Sequence, residues 1–383
     1  MTRQLVLLGS GPAHLRLLAL LAKRGLQGEW GGAKITLISR NQRHIDARLL
    51  SEFVAGRLTL EACSVDLEPP VQKTRIQWIE AQAVALDAKA QALLLADGQE
   101  IRYDWLSINQ EPLQSRAHAE LQMPGAQANG LFVRPTSVFC KLWPGVLALA
   151  ATKPLRVAVV CDNHGAATTG QDAILRQQEV AGIELAMAIH HALPGCSVTL
   201  ITGGAPLASA STVSMRQVLA RTLKAKRITV LEDAATAIKQ AEVTLASGAS
   251  LACDVPVLAV NAHPPAFAVA SGLALDANGF IAIDAALRSI SHANVFSTPG
   301  TDIADNLLAR TLGSVAGLPA LGVAGLPASG LSDRGTKAFG GLQFVSSNDG
   351  QAIVNWGGYS ARGRILAWLK HSIDQSRMTS YTA

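Results

Sequence analysis

Charged residues are scarce in this 383-residue chain, at 16%, and aromatic residues scarcer, at 4%. With 49% hydrophobic residues, so little charge excludes a disordered or solvating chain and suits a large buried core. The net charge is +5 and the pI near 9.0, but no dense Lys/Arg stripe accompanies them, which excludes a nucleic-acid groove. The mild basicity instead suits anionic ligands or a weak attraction to an acidic membrane surface. None of the five cysteines forms a CxxC pair, so neither a zinc site nor a redox dithiol of the CxxC or CxxxxC type is encoded. An odd cysteine count, without a basic leader and small-residue cleavage site, reads as reduced thiols in a cytoplasm. No apolar run reaches the roughly 18 residues that a membrane span needs.

What is present is α/β grammar, in a length that suits two or three domains. Gln4 to Leu8 is a compact apolar run, the pattern of a strand buried on both faces. It enters the turn Gly9-Ser10-Gly11-Pro12-Ala13-His14, after which Leu15 to Arg24 reads as a helix closed by Gly25. Lys34 to Ser39 is a second buried strand, completing one right-handed βαβ unit. Ile76 to Asp97 alternates loosely and carries the hairpin signal Asp97-Gly98, and Tyr103 to Asn109 is a further strand. A second unit with the same grammar follows: strand Leu155 to Val160, helix Val180 to His191, strand Ser197 to Thr202. Strands are also expected at Ile228 to Asp233, around a hairpin at Ser247-Gly248, at Val255 to Asn261, and at an edge-like Gly279 to Ile283. Phe344 to Met378 reads as a strand hairpin followed by an amphipathic helix.

The expected fold class is therefore α/β. Two Rossmann-like dinucleotide-binding domains of three layers carry a C-terminal α+β extension. The first domain covers 1–152 and 253–335, the second 153–252, and the extension 336–383.

A G-x-G turn after a buried strand has a physical use. Gly9 lets the chain turn tightly, and Gly11 removes the side chain that would block a pyrophosphate. The following helix then aims unpaired N–H groups and its positive dipole end at the phosphates. An ordinary βα turn is the rival reading, since the third glycine position holds His14. At the end of the second strand, where a carboxylate usually holds ribose hydroxyls, stand Ser39-Arg40-Asn41; the missing carboxylate weakens ribose recognition, for which Ser39 or Asn41 could substitute with a neutral hydrogen bond.

With these residues in hand, the chain resembles the pyridine nucleotide-disulfide oxidoreductase superfamily. The likeness is to its type II NADH dehydrogenase-like branch, including the flavoprotein domain fused to selenophosphate synthetase. Leu5 to Leu15 is similar to that branch's opening, with a histidine at the place of His14. Ile45 to Leu67 is similar to its characteristic segment, with Ala55-Gly56 and Asp66-Leu67 matching, and Tyr103-Asp104-Trp105-Leu106 is similar to its "YDxL" strand. Asn294-Val295-Phe296 precedes the late flavin motif, and Gly357 to Asp374 is similar to the C-terminal stretch.

The resemblance implies FAD as prosthetic group, NAD(P)H as reductant and a quinone or small molecule as acceptor. It implies that Gly9, Ser10, Gly11, Pro12, Ala13, His14, Ser39 and Arg40 hold the cofactor. The late "GD" motif is replaced by Thr298-Pro299-Gly300-Thr301-Asp302, where Gly300 and Asp302 would serve with spacing shifted by one. The "ATG" expected near Val260 reads Val260-Asn261-Ala262-His263. The second glycine turn departs furthest: Cys161-Asp162-Asn163-His164-Gly165 and a polar insertion over 166–180 precede Ala181-Gly182-Ile183-Glu184-Leu185. Asp162 would repel a pyrophosphate there.

Glu184 matches the family's helix glutamate and is a candidate catalytic group near the flavin face; a helix-surface glutamate is the alternative. Cys161 is either a nucleophile at a strand end or a buried structural thiol. His190 and His191, about 100° apart on a helix, cannot chelate as i, i+4 pairs do, and read as surface or capping residues. Trp356, Tyr359, Leu366, Trp368, Leu369 and Ile373, beside Arg362, Arg364, Lys370 and Arg377, form an interfacial membrane anchor, a homodimer contact or a core lid. Three functions stay open: a flavin-dependent NAD(P)H oxidoreductase, an impaired relative serving a protein partner, and a flavin enzyme oxidising an organic substrate without NAD(P)H.

Overall fold

The computed structural model describes residues 3–23, 33–162, 172–260, 263–298, 305, 307–309, 311–312 and 343–382, with side chains of the helix at 172 described from 179 onward. In chain order, β1 is Arg3–Leu8, α1 Pro12–Lys23, β2 Ala33–Ser39, α2 Leu50–Val54, β3 Gln77–Glu80 and β4 Trp105–Ile108. Then come β5 Leu131–Phe132, β6 Arg156–Cys161, α3 Asp172–Ala192, β7 Ser197–Ile201, β8 Thr229–Leu231, β9 Val255–Ala259, β10 Val295–Ser297 and the C-terminal α4 Arg364–Thr382.

The strands form two five-stranded parallel sheets, β10-β4-β1-β2-β3 and β5-β9-β6-β7-β8. In each, the first strand of a βαβ unit lies centrally, between its sequence successor and a strand that returns from the far side: Leu5 to Leu8 pair with Ile35 to Ile38 and with Trp105 to Ile108. Val157 to Val160 pair likewise with Val198 to Ile201 and with Val255 to Leu258. Central parallel strands are covered on both faces, which is why LVLL and VAVV are continuous apolar runs and fully buried. The crossover back to each central position is an antiparallel three-stranded meander: 83–87, 92–95 and 100–102 in the first unit, 235–239, 242–245 and 250–252 in the second. The hairpin at Asp97-Gly98 is formed, with Gly98 at φ +86°. The second unit thus repeats the architecture of the first, as its repeated strand-turn-helix grammar predicts.

Three expectations change. The expected bounds put the strand at 255–259 in the first unit, whereas it pairs with β6, and 131–132 joins the same sheet. The helix expected from Val180 begins at Asp172, so the supposed insertion is helical from there on. Gly279 to Ile283 forms only the isolated bridges Leu275–Ile281 and Ile283–Ser289, not a strand.

The two units meet through α2, which packs against α3; Leu50, Val54 and Ala55 share one core with Ile183, Met187, Val157 and Val257. The C-terminal segment is a three-stranded antiparallel meander, 343–346, 352–356 and 359–363, followed by α4. Its Val345 and Ile353 join that core, while Tyr381, near the end of α4, is buried in the core beneath α1. No helix among the described residues is long and apolar enough to cross a membrane.

Candidate functional site

Two places carry the predicted residues. The first is the crevice at the C-terminal ends of β1 and β4, the point where strand order reverses and where ligands of open α/β sheets bind. Gly9 holds φ +96°, the left-handed conformation that lets β1 turn sharply into α1. Its N–H donates to Ile38 O at 2.8 Å. The Gly11 N–H donates to Asn109 O at 2.9 Å, and the Ala13 N–H to Asn109 Oδ1 at 2.9 Å. The Ser10 and His14 amides have no partner among the described residues.

His14 is fully buried beneath this turn. Its Nδ1 lies 2.6 Å from Gly9 O, which can only accept, so Nδ1 carries the proton and Nε2 accepts from Ser107 Oγ at 2.7 Å. Burial lowers the imidazole to a pKa of about 4, against the smaller opposing effect of the Gly9 hydrogen bond, so the ring is neutral at physiological pH. The histidine thus fills the place of a third glycine by bonding the turn it packs on. Ser39 is buried at the end of β2, its hydroxyl donating to Asn41 O at 3.0 Å and accepting from Trp78 Nε1 at 3.1 Å. Arg40 and Asn41 are exposed beside it. Gly300 and Asp302 lie outside the described residues, as do Asn163, His164 and Gly165.

In the second unit Cys161 ends β6 with its sulfur against Gly182: a Cβ added there would fall 2.5 Å from Sγ. The glycine admits close approach of α3 to the sheet, and burial raises the thiol to about 12, so Cys161 is protonated and apolar in character at neutral pH. Glu179 nearby accepts from Ser209 Oγ at 2.6 Å and from Ala210 N at 3.1 Å.

The second place was not visible in the sequence. Glu52 on α2, Glu184 on α3, and Lys370 and Asp374 on α4 converge where the first unit, the second unit and the C-terminal segment meet. Lys370 Nζ lies 3.0 Å from Asp374, 3.7 Å from Glu52 and 3.8 Å from Glu184. Arg377 pairs with Asp374 at 2.8 Å, and Glu184 Oε1 accepts from Ser346 N at 2.7 Å. Burial raises the Glu184 carboxyl above its ordinary value; Lys370 and the Ser346 amide pull it down, and Glu52 and Asp374 push it up again. Behind this group, Asp46 chelates Arg48, whose guanidinium also donates to the Tyr381 hydroxyl at 2.6 Å.

A cleft of about 480 Å³ opens directly on the cluster. Its walls combine Lys370, Glu52 and Arg57 with Leu49, Leu58 and Met378. A cleft whose walls mix apolar side chains with convergent charged groups, over a buried carboxyl of raised pKa that lies behind Lys370, has the form of a small-molecule site.

The face of α4 that is buried is thus the charged one, with Lys370 and Asp374, and the apolar face is outside. Trp368 is 67% exposed and Ile365 80%, and the hairpin tip adds Trp356 at 64% and Tyr359 at 84%. A core lid is excluded by these exposures.

Residues 180–301 match the model of the family described as pyridine nucleotide-disulphide oxidoreductase. The type II NADH:quinone oxidoreductase of Staphylococcus saprophyticus is 30% identical over 88 residues, a stretch that covers 23% of this chain and only 21% of that protein. Among solved structures, the sulfide:quinone oxidoreductase of Aquifex aeolicus superposes with a TM-score of 0.72 at 14% identity, covering 99% of this chain and 91% of that one. The NDH2 of Plasmodium falciparum in complex with NADH gives 0.71 at 12% identity, covering 100% and 97%. At these identities the likeness establishes the fold.

Proposed function

We propose, on the premise that the chain is a pyridine nucleotide-disulphide oxidoreductase by fold and by its match over 180–301, that it is a flavin-dependent oxidoreductase passing electrons to a quinone or similar small acceptor in the 480 Å³ cleft. The observation that carries this reading is a cleft between the first unit and the C-terminal segment, into which Lys370 projects while pairing with buried Glu184 of the second unit behind it. Bound FAD would supply the two-electron chemistry, accepting hydride from NADH or NADPH and releasing electrons to the acceptor.

The chain's own residues supply binding and protons. The Gly9 turn and the Ser10 and His14 amides fit a diphosphate at the start of α1, with Gly11 and Pro12 shaping the approach and Ser39 and Arg40 at the adenosine-ribose end. Gly300 and Asp302 are proposed for the flavin's ribityl side. Around Lys370, Arg57 also pairs with Glu52 and Arg377 with Asp374, so Glu184 is the acid of the three with no second cation among the described residues. Burial raises the Glu184 carboxyl above its ordinary value, the direction that suits a group taking up a proton and passing it to a reduced acceptor. Lys370 orients it, and the apolar wall of Leu49, Leu58 and Met378 excludes water.

Supplied with FAD, the purified protein is expected to show a bound-flavin spectrum that NADH or NADPH bleaches and a water-soluble quinone restores. Because Glu184 titrates above the ordinary carboxylate range, the reoxidation rate should fall as pH rises through that raised value. Glu184→Gln keeps the Ser346 contact and removes the proton, so reoxidation should slow about a hundredfold and lose this pH dependence. A Gln variant with unchanged rate and profile would remove the proton-donor role.

The exposed Trp356, Tyr359, Ile365 and Trp368, with Arg362 and Arg364 between them, suit an anionic lipid surface, which would bring a lipophilic acceptor to the cleft beside them. Co-sedimentation with vesicles rich in phosphatidylglycerol is expected, weakened by salt. Trp356→Ser with Trp368→Ser should reduce it about tenfold or more. Binding that ignores both substitutions, or a salt-stable dimer with these residues covered, would count against lipid as the occupant.

A further inference from the structure

Two of the anchors that a dinucleotide needs in the first unit are already used by the chain itself. Asn109 follows β4 and is nearly buried, with its backbone fixed on both sides: its N–H donates to Leu8 O at 2.9 Å and its carbonyl accepts from Gly11 at 2.9 Å. That leaves its carboxamide oxygen directly over Gly11 and 2.9 Å from the Ala13 N–H. A Cβ on Gly11 would fall 2.3 Å from this oxygen, so the space in front of Gly11 is filled by Asn109. The first-turn amide of α1, which carries the positive end of the helix dipole, is satisfied by a neutral side-chain oxygen where a phosphate oxygen would bind.

The ribose end is spent in the same way. No carboxylate ends β2, and the Ser39 hydroxyl both donates to Asn41 O and accepts from Trp78 Nε1. A ribose hydroxyl must displace one of these partners or turn to exposed Arg40 and Asn41.

We infer that Asn109 is an internal stand-in for the ligand's phosphate, so that FAD binds in competition with it and is held as an exchangeable ligand rather than a permanently retained group. This rests on the flavoprotein reading above. In the flavin-free state Asn109 caps α1 and keeps the turn in its binding shape; on binding, the carboxamide must swing from Ala13 while the Leu8 and Gly11 backbone bonds stay.

The test is FAD binding by calorimetry and melting temperature, on the full chain stripped of flavin. The wild-type protein should lose flavin on dialysis. Asn109→Ala removes the competitor and the cap together. Its flavin-free form should melt lower than wild type, yet it should bind FAD about tenfold more tightly, the value of one helix cap. Asn109→Asp keeps the cap, and so the fold, while placing a carboxylate against the diphosphate; it should bind FAD more weakly than wild type. Wild-type protein that retains flavin through dialysis overturns the inference alone, as does Asn109→Ala binding no better than wild type. If neither wild type nor Asn109→Ala responds to FAD in either measurement, the flavoprotein reading falls with it.

Discussion

Lys370→Met should lower the stability of the whole chain by about 3–5 kcal/mol at neutral pH, because it removes a buried ammonium shared by three carboxylates and leaves one of them without a cation. Lys370 holds Asp374 at 3.0 Å, Glu52 at 3.7 Å and Glu184 at 3.8 Å, and its side chain is about as buried as theirs. Methionine of similar length keeps the packing and removes only the charge. Arg377 still serves Asp374, and Arg57 still lies 3.7 Å from Glu52, but Glu184 keeps only the Ser346 amide. The loss should therefore fall mainly on Glu184.

The pH dependence separates a charge effect from a packing effect. In the wild type, burial by itself lowers the Lys370 pKa, but the neighbouring Glu184, Asp374 and Glu52 carboxylates together raise it by more, and the net result is a pKa above its ordinary value. A raised base stabilises the fold fully below its unfolded pKa, so across the physiological range the wild type keeps this contribution. In the variant, the acids deprived of this ammonium have their pKa values driven upward. Acids with raised folded pKa values cost stability as pH rises through those values and cost nothing once protonated. The deficit should be largest at neutral and alkaline pH and shrink as pH falls toward the ordinary carboxylate range. Denaturant unfolding of both proteins across that range checks it; a deficit independent of pH would mean that the lysine matters only for its packing.

Much of the fold is legible in the sequence because its causes are local. Leu5 to Leu8 and Val157 to Val160 announce central parallel strands by being apolar at every position, and Gly9 announces the turn. The start of α3 is not legible, because Asp172 to Glu179 is polar enough to pass for a loop when viewed without its continuation. The candidate site divides in the same way. That a turn exists at 9–14 follows from spacing; that Asn109 fills the space before Gly11 does not, because the two are brought together only by the pairing of β1 with β4. Glu52, Glu184 and Lys370 lie on three helices far apart in sequence, and no periodicity links them. Only the (i, i+4) pair Lys370 and Asp374 leaves a local mark, which an amphipathic reading assigns to solvent. On α4 the apolar stripe predicts an interface of some kind, yet which stripe faces the protein is decided by the charged cleft beneath it.

The second large effect is expected at Gly11, where a single methyl group meets two different kinds of obstacle. A Cβ would lie 2.3 Å from Asn109 Oδ1 and 2.5 Å from Asn109 O. The carbonyl cannot retreat, since it accepts from Gly11 itself and the Asn109 amide is fixed to Leu8. Gly11→Ala should therefore cost about 2–3 kcal/mol by forcing β1 and β4 apart at the crevice. It should also abolish any tightening of FAD binding by Asn109→Ala, because the carbonyl contact remains. Adding Asn109→Ala removes the side-chain overlap and leaves the backbone one, so the double variant should recover only about 1 kcal/mol. Gly182→Ala is the matched control. There the obstacle is Cys161 Sγ at 2.5 Å, with nothing else nearer than 3.9 Å, so Cys161→Ala removes it whole. Rescue at 182 should be nearly complete where rescue at 11 is partial. Equal rescue at both sites in a double-mutant cycle would mean that the Asn109 carbonyl does yield, and that the turn is softer than its hydrogen bonds imply.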